Sequence, residues 1–398
     1  MLRFLTAGES HGKGLVVVVE GAPAGLTLTT DSVADTLARR RLGFGRGPRM
    51  RFERDDVTLL AGIRHGTTLG SPIAIEIANT EWERWKDEMS PDPGGASTPL
   101  TAPRPGHADL VGMQKYGLVD ARDVLERASA RETAARVAAG AVAVALLREL
   151  GIEVLSHTVA LGGIEAPEEP RPLPADRDRV DDDEVRCFDA AASSAMVEEI
   201  KAAAKAGDSL GGVAEVLCYG VPVGLGSHVH WDRKLDGLLA QAVMSIQAVK
   251  GVEFGSASAQ ARGRGSEAHD AIYLDPDAAP SAGGFRRGGS KSGGLEGGIT
   301  TGSLLVVRAT MKPLSTLNRP VLKTVDLATG EEATSFKERT DVTAVPAMGV
   351  VAESMVALVL ASEALRKFGG DSIGELRRNM DGFLEDAAGI AHRAAHPG

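Results

Sequence analysis

Two long segments of the chain, residues 129–150 and 348–368, are apolar on nearly every face of a helix. A surface helix keeps one polar face, so helices that lack one must be covered on both sides. Other segments, including 56–63 and 72–78, alternate apolar and polar residues, as antiparallel strands do. The sequence therefore predicts an α+β fold, a single-domain β-α-β sandwich with long buried helices between two antiparallel sheets.

The rest of the chain shows no composition break that would separate two domains. We therefore expect one domain over residues 1–398, with a flexible C-terminal tail from about residue 385. The acidic, proline-rich stretch 166–183 is predicted to be a solvated loop. Further periodic segments predict strands at 152–160, 213–223 and 304–310, and helices at 196–206 and 235–250.

Charge and composition exclude several classes of protein. The formal net charge of −10 and the 4% of aromatic residues argue against a general nucleic-acid or anionic-membrane surface. The two cysteines, Cys187 and Cys218, have no metal-like or redox spacing and indicate a reducing compartment. No signal-peptide pattern is visible, and no apolar run approaches the roughly 18 residues that span a bilayer. We expect a cytoplasmic protein without a membrane or nucleic-acid partner.

The segment Gly8-Glu9-Ser10-His11-Gly12 has the Gly-x-Ser-x-Gly spacing of a serine hydrolase elbow. That elbow needs a strand before the serine and a helix after it. Here the segment 14–21 is β-branched and short, so Ser10 precedes a strand. A polar turn without function is the simpler interpretation of this segment alone.

A helix-start signal at Thr29-Thr30-Asp31 predicts a short helix that ends in an arginine cluster, with seven arginines around three glycines in residues 39–54. Guanidinium groups bind phosphate and carboxylate with two parallel hydrogen bonds. The cluster therefore predicts an anion-binding loop, although a solvated basic face has the same composition. Its members include Arg40, Arg46 and Arg49.

Four further segments carry polar groups suited to chemistry. His107 lies in a glycine-bounded loop, where it is either structural or catalytic. Ser129 and Glu132 have the spacing of a capping box, and Arg127 and Arg131 flank a helix start that favours anions. The glycine-rich stretch 283–302 is either a flexible linker or an anion-binding, gating loop. The segment 312–316 offers one cation and two hydroxyls.

Taken together, the motifs resemble those of the chorismate synthases, and the resemblance runs over the whole chain. The matching segments are Gly8–Gly12 with Glu20–Pro23, Arg104–Asp109, Glu126–Thr133, Gly294–Gly298, and Arg339–Asp341 with Glu353–Met355. Two positions depart from the common pattern: Ala128 stands where many members have a serine, and Thr340 where serine or histidine is common.

The resemblance implies a trans-1,4-elimination of phosphate from 5-enolpyruvylshikimate 3-phosphate that forms chorismate. It also implies reduced FMN as cofactor, NADPH for flavin reduction or a separate flavin reductase, and a homotetramer. The FMN-binding positions that it implies are Arg127, Ala128, Ser129, Gln247, Ala248, Gly297, Lys312, Pro313, Leu314, Ser315, Thr316 and Arg339.

The resemblance also implies catalytic roles. His11 is the general acid toward the leaving phosphate, and His107 is the proton partner of the flavin. Asp341, with Ser10 and Ser129, manages the proton on flavin N5. The small anionic substrate is held by Arg40, Arg46, Arg49 and Arg131.

Two alternatives remain open at the level of sequence. A flavin- or nicotinamide-dependent reductase would use the same arginines for a dinucleotide phosphate. A non-catalytic anion- or RNA-binding module would use the arginine cluster 39–54, and salt-sensitive oligonucleotide binding would support it.

Overall fold

The computed structural model describes residues 1–47, 55–94, 98–319, 321–335 and 341–395. Its first sheet has four antiparallel strands in the order β1-β2-β4-β3. The strands are β1 (Arg3–Ala7), β2 (Gly14–Glu20), β3 (Asp56–Ala61) and β4 (Ile73–Ala78). In β4 alternate side chains are buried, which confirms the alternation predicted for residues 72–78. The β-branched strand β2 shows the same alternation.

The second sheet has five antiparallel strands in the order β8-β9-β7-β5-β6. They are β5 (Glu153–Leu161), β6 (Ile164–Glu165), β7 (Gly212–Tyr219), β8 (Val249–Phe254) and β9 (Leu305–Met311). The middle strands β5 and β7 are buried over most of their length. The remaining strands form two-stranded ribbons: Ile63–Arg64 with Thr67–Thr68, Ile272–Leu274 with Phe285–Arg287, Leu295–Glu296 with Ile299–Thr300, and Lys323–Val325 with Glu332–Thr334.

Long helices fill the space between the two sheets. The principal helices are α1 (Thr30–Arg39), α2 (Thr133–Glu149), α3 (Ala190–Ala206), α4 (Leu235–Met244), α5 (Val345–Phe368) and α6 (Ile373–Ala395). Helix α2 packs on β2 of the first sheet, α5 packs on β5 and β7 of the second sheet, and α2 and α5 pack against each other. This arrangement confirms the predicted sandwich of antiparallel sheets around buried helices.

The two central helices cross closely because a glycine lies at their contact. A Cβ atom built on Gly140 of α2 would lie 2.3 Å from the Cβ atom of Ser354 of α5. No side chain tolerates that distance, so the small residue sets the spacing of the helical layer.

Shorter helices connect these layers. They are Trp82–Trp85, Asp109–Tyr116, Arg122–Ala128, Arg177–Asp182, Ala257–Gln260 and Gly265–Ala268, with 3-10 turns at Ala130–Glu132, Pro174–Asp176, Trp231–Arg233 and Pro280–Ala282. The stretch predicted as a solvated loop at 166–183 thus contains a 3-10 turn and a helix. Asp181 of this helix pairs with Arg39 and Arg186, which holds the segment against the fold.

Three other sequence predictions need correction. The helix predicted at 235–250 ends at Met244 with Ser245 as its C-cap, and it cannot reach residue 250 because Ala248 adopts a left-handed conformation (φ 65°) before β8. Ser129 accepts a hydrogen bond from the backbone N–H of Arg131, and the side chain of Glu132 bonds elsewhere, so no capping box forms. Residues 385–395 continue α6, so the tail expected there is helical; its mobility stays a prediction.

Helix α5 also corrects the expectation about membrane spans. Among the described residues it is the one helix long and apolar enough to cross a bilayer, by length and composition only. Inside the protein, however, 89% of its most apolar window is buried. The pattern is therefore that of a core helix.

A buried ionic cluster fixes α1 and α5 to the second sheet. Glu353 of α5 accepts hydrogen bonds from Arg39 Nη1 at 2.6 Å and from the backbone N–H of Ser156 at 2.7 Å. Arg186, whose side chain is 1% exposed, reaches Glu353 at 3.3 Å and Asp181 at 2.8 Å. Burial raises the pKa of Glu353, but the charges of Arg39 and Arg186 outweigh it and bring the pKa to about 2. Arg39 is therefore a structural member of the arginine cluster.

Candidate active site

The loop between β1 and β2 places His11 against a buried carboxylate. His11 Nδ1 lies 2.8 Å from Glu126 Oε1, and the backbone N–H of His11 donates to Glu126 Oε2 at 2.9 Å. Burial raises the pKa of Glu126, but the hydrogen bonds from His11 and Ser10 outweigh it and hold this pKa below its ordinary value. Glu126 is therefore an ionised partner of the histidine.

Ser10 is placed where a hydrolase nucleophile would not work. Its hydroxyl is buried and donates to Glu126 Oε2 at 2.5 Å. It lies 3.2 Å from His11 Nδ1, the same ring nitrogen that Glu126 occupies. In a catalytic triad the serine and the acid contact opposite nitrogens of the histidine. The geometry therefore rejects the serine hydrolase alternative.

An aromatic ring covers one face of His11. Trp85 stacks on the imidazole with the ring centroids 4.1 Å apart and an interplanar angle of 28°. Arg122 lies over Trp85, 5.2 Å from its centroid, and also reaches Glu126 Oε1 at 3.6 Å. The stacking and the carboxylate together fix the orientation of the His11 ring.

Two predicted substrate arginines share one buried aspartate near this loop. Arg131 Nη1 donates to Asp55 Oδ1, and Arg40 Nη2 lies 3.6 Å from Asp55 Oδ2. Arg131 also donates to Asn79 Oδ1 at 3.0 Å, and the Asn79 amide donates to the carbonyl of Gly12 at 2.8 Å. Asn79 therefore joins Arg131 to the His11 loop, and Asp55 joins Arg40 to Arg131.

Asp341 and Arg46 form a second pair. Arg46 Nε lies 3.3 Å from Asp341 Oδ2 without hydrogen-bond geometry, and the backbone N–H of Gly47 donates to Asp341 Oδ1 at 2.5 Å. Both side chains are largely buried, with exposures of 10% and 20%. The predictions for Arg49 and Arg339 fall outside the described residues.

His107 has the same kind of partner as His11. Its Nδ1 atom makes a short contact with Asp109 Oδ1, and Asp109 is 1% exposed. Asp109 Oδ2 accepts hydrogen bonds from Arg104 Nε at 2.8 Å and from the backbone N–H of Arg104 at 3.0 Å. Burial opposes ionisation, but the hydrogen bonds from His107 and Arg104 hold the pKa of Asp109 well below its ordinary value.

A chain of contacts connects the predicted flavin residues to both histidine loops. Lys312 Nζ donates to the carbonyl of Gly106 at 2.5 Å, and the backbone N–H of Lys312 donates to the carbonyl of Ala248 at 3.0 Å. Gln247 Nε2 donates to Glu132 Oε2 at 3.0 Å. Lys312 thus lies between Ala248, the chain neighbour of Gln247, and Gly106, which precedes His107.

Arg127 completes this chain from the other side. It donates to the carbonyls of Gly8 at 3.0 Å and Thr6 at 2.9 Å, and Thr6 Oγ1 donates to Glu132 Oε1 at 2.9 Å. Ala128 and Ser129 follow in the chain, at the end of the Arg122–Ala128 helix. Glu132 therefore links Thr6 of β1 to Gln247, and the neighbouring Ala248 contacts Lys312 at the end of β9.

The remaining predicted FMN-binding positions do not all lie in the same place. Ser315 packs near Gly106, and the Leu314 carbonyl accepts from Ser209, so the turn with Pro313 and Thr316 lies beside the His107 loop. Gly297 lies by His228 at the start of α4, whereas Gln247 follows the end of this ten-residue helix. Such a helix is about 15 Å long. The described contacts do not bring Gly297 to the other flavin positions.

Several partners of the predicted residues were not assigned roles from the sequence. They are Asp55, Asn79, Trp85, Arg104, Asp109 and Glu126, and Glu132 was predicted only as a helix cap. Asp109 lies two residues from His107, so a local signal existed for it. Glu126 lies 115 residues from His11, and only the matching of the segment around it pointed to that region.

Two carboxylate-bound histidines and a set of buried arginines on an α+β sandwich describe the class: an enzyme that acts on a small anionic substrate by proton transfer. A family model described as chorismate synthase matches residues 2–365. The chorismate synthase of Acidothermus cellulolyticus is 61% identical over 394 residues, which cover 97% of this chain and 99% of that protein. The chorismate synthase of Streptomyces coelicolor is 60% identical, with 97% and 98% covered.

A solved structure agrees with the sequence comparison. A crystal structure of chorismate synthase superposes with a TM-score of 0.78 at 38% identity and covers 98% of both chains. The chain therefore belongs to the chorismate synthase family, the phosphate-eliminating lyases of the last step of the shikimate pathway. Members of this family use reduced FMN.

Proposed function

We propose that this chain forms chorismate by trans-1,4-elimination of phosphate from 5-enolpyruvylshikimate 3-phosphate, with the predicted residues in the roles given above. The observation that carries the proposal is the pairing of each histidine with a buried carboxylate. The fold also buries Arg40 and Arg131 around Asp55 and sets Arg46 against Asp341. A substrate with one phosphate and two carboxylates needs cationic groups to bind, and its elimination needs a proton donor at the departing phosphate.

The residues divide this work between them. His11 protonates the leaving phosphate. Stacking on Trp85 and the contact with Glu126 hold its ring in one orientation. Arg40, Arg46 and Arg131 neutralise the phosphate and carboxylates of the substrate. His107 and Asp341, with Ser10 and Ser129, handle the proton on the cofactor side.

The chain also offers groups that fit reduced FMN. Gln247 Oε1 is buried and has no hydrogen-bond partner among the described residues, so an external donor would satisfy it. Arg127, Ala128, Ser129, Gln247, Ala248 and the turn 312–316 would hold the flavin. Bound reduced FMN would lend electron density to the departing C–O bond and recover it. Gly297 would contribute only if another part of the assembly brings it near.

The flavin's role is tested by stoichiometry. Under anaerobic conditions, chorismate should form with reduced FMN and fail to form with oxidised FMN. The reduced absorbance spectrum should be restored after many turnovers per flavin, because the elimination has no net redox change. One flavin oxidised per product would instead identify a reductase, and activity without flavin would remove the cofactor from the mechanism.

Arg46→Ala should weaken substrate binding while the fold stays intact. One charge-assisted hydrogen bond shielded from water contributes about 1.5–3 kcal/mol, so the Kd should rise roughly ten- to a hundredfold. Calorimetry measures the affinity and circular dichroism the fold. Arg64→Ala, on an exposed ribbon, is the matched control. Unchanged affinity in a folded Arg46 variant would contradict the role.

The homotetramer is supported by the outer face of the first sheet. Leu5, Val16, Val18 and Leu60 point away from the helices and are 37–75% exposed. An apolar face of this kind is typical of an interface between subunits. Light scattering should give the mass of four chains, and a monomer would contradict it. A cytoplasmic location, NADPH and a separate flavin reductase remain parts of the proposal.

A further inference from the structure

The two histidines of the site share one structural arrangement that the sequence did not indicate. Each has its Nδ1 atom against a carboxylate that is almost fully buried: Glu126 for His11 and Asp109 for His107, with residue exposures of 2% and 1%. The repetition of the same pairing at two separate loops points to a common requirement.

The chemistry of the carboxylates fixes which nitrogen carries the proton. An ionised carboxylate has no hydrogen to donate, so the ring nitrogen that faces it must be the donor. The Nδ1 atoms of His11 and His107 are therefore protonated. In a neutral ring this leaves the Nε2 atom with the free lone pair.

The carboxylates themselves are held in place through their second oxygen. Glu126 Oε2 accepts from the backbone N–H of His11 at 2.9 Å and from Ser10 Oγ at 2.5 Å, and it lies 3.0 Å from His11 Nδ1, slightly farther than Oε1. Asp109 Oδ2 accepts from the backbone N–H of Arg104 at 3.0 Å and from its Nε atom at 2.8 Å. These donors fix the orientation of each carboxyl group, and the position of the second oxygen suits an acceptor only.

Arg104 is the other charged group near the His107 ring. Its Nη2 atom lies 3.1 Å from His107 Nδ1 and 3.2 Å from Asp109 Oδ1. Two donors, the guanidinium and the imidazole N–H, thus converge on the same aspartate oxygen. The guanidinium charge is paired with Asp109 and leaves the assignment of the Nδ1 proton unchanged.

One helical hairpin carries both carboxylates. Asp109 is the first residue of the Asp109–Tyr116 helix, and Glu126 lies in the last turn of the Arg122–Ala128 helix. The two helices touch at Gly112, where a Cβ atom would lie 2.4 Å from Val124 Cγ1. Close packing at a glycine couples the positions of the two acids.

We propose that Glu126 and Asp109 are positioning residues that keep a proton on Nδ1 of His11 and His107, so that Nε2 is the atom through which each ring exchanges a proton during elimination. A ring that acts as an acid donates from Nε2 as the imidazolium and is left as the neutral Nδ1–H tautomer. The proposal rests on the proposed function for its catalytic meaning. The tautomers themselves are properties of the protein alone.

The amide variants Glu126→Gln and Asp109→Asn give a sharp test. In each variant the amide oxygen should take the place that faces the backbone N–H, so the amide NH₂ group faces Nδ1 and donates to it. The ring must then accept at Nδ1 and carry its proton on Nε2. The tautomer should therefore reverse in both variants.

Nitrogen-15 NMR of histidine-labelled protein, without substrate or flavin, measures the tautomer. The His11 and His107 signals are assigned by their loss in His11→Asn and His107→Asn. In the neutral rings, reached by raising the pH, we expect the proton on Nδ1 in the native chain and on Nε2 in the two amide variants. A neutral native ring protonated on Nε2 and not on Nδ1 would overturn the proposal even if neither variant folds, and so would an unchanged tautomer in folded variants.

Activity provides the second measurement. In the amide variants kcat should fall about ten- to a hundredfold, the cost of losing a partner that orients a functional histidine, while KM and flavin affinity stay near native values. Glu83→Gln and Asp123→Asn make the same chemical changes at exposed positions and should leave kcat unchanged. A native kcat with a reversed tautomer would overturn the positioning role. Absence of chorismate formation by the native chain would instead count against the proposed function alone.

Discussion

Replacing His11 or His107 by Asn should lower kcat by about 10²- to 10⁴-fold, the usual contribution of a general acid or base. Asn keeps a polar side chain of similar shape near the backbone but cannot exchange a proton at neutral pH. Both histidines are held against ionised carboxylates, so their loss removes a proton donor whose orientation the fold has already fixed. Steady-state chorismate formation with reduced FMN measures the effect.

The matched control is His230→Asn. His230 is also paired with an acid, Asp232, but both side chains are more than half exposed. Its replacement should leave kcat within twofold of the native value, a margin set by assay error of roughly this size. Near-native rates for both His11→Asn and His107→Asn would refute proton transfer by these residues. Covalent labelling of Ser10 by a fluorophosphonate would revive the hydrolase alternative that the geometry rejects.

Glu353→Gln should lower the free energy of unfolding by about 3–5 kcal/mol, the cost of leaving buried charges without their partner. Glu353 faces Arg39 and Arg186, and Asp181 is the other acid of this cluster. The variant leaves two buried guanidinium groups with one carboxylate. Urea unfolding followed by circular dichroism measures the loss.

Glu353 also makes the free energy of unfolding depend on pH in the acidic range. The pKa of Glu353 is lowered in the folded protein to about 2, from an unfolded value of 4.5. Its contribution is therefore fully present above pH 4.5 and is lost as the pH falls toward 2. Glu215, beside His157 and Arg171, has a folded pKa of about 2 as well and contributes with the same sign.

Glu353→Gln should therefore show a shallower loss of stability between pH 4.5 and pH 2 than the native chain. Glu198→Gln is the control, because Glu198 forms an exposed pair with Lys201 and such pairs contribute about 1 kcal/mol or less. Equal stabilities of the Glu353 and Glu198 variants would show that the buried cluster does not stabilise the fold.

The sequence was sufficient for the sandwich because hydrophobic periodicity is a local signal. Strands such as β4 alternate with period two, and α5 is apolar on every face. The end of α4 was not predictable in this way. Ala248 adopts a left-handed conformation immediately before β8, and alanine gives no sign of this in sequence.

The arginine cluster shows the corresponding limit for the site. Arg39 and Arg46 look alike in sequence, since both are arginines near glycines. Arg39 pairs with Asp181 and Glu353, which lie 142 and 314 residues away, and it becomes part of the core. Arg46 reaches only Asp341 among the described residues. The difference depends on contacts distant in the chain, which no local pattern records.

The close crossing of α2 and α5 has a consequence for synthesis of the chain. The two helices occupy residues 133–149 and 345–368, so a ribosome must translate most of the protein before the second helix can meet the first. Until then the inner face of the second sheet and the side of α2 that meets α5 lack their partner, and folding depends on contacts of high sequence separation. A nascent chain that ends before residue 345 exposes these faces to solvent, and this is the period in which a holding chaperone would protect it from aggregation.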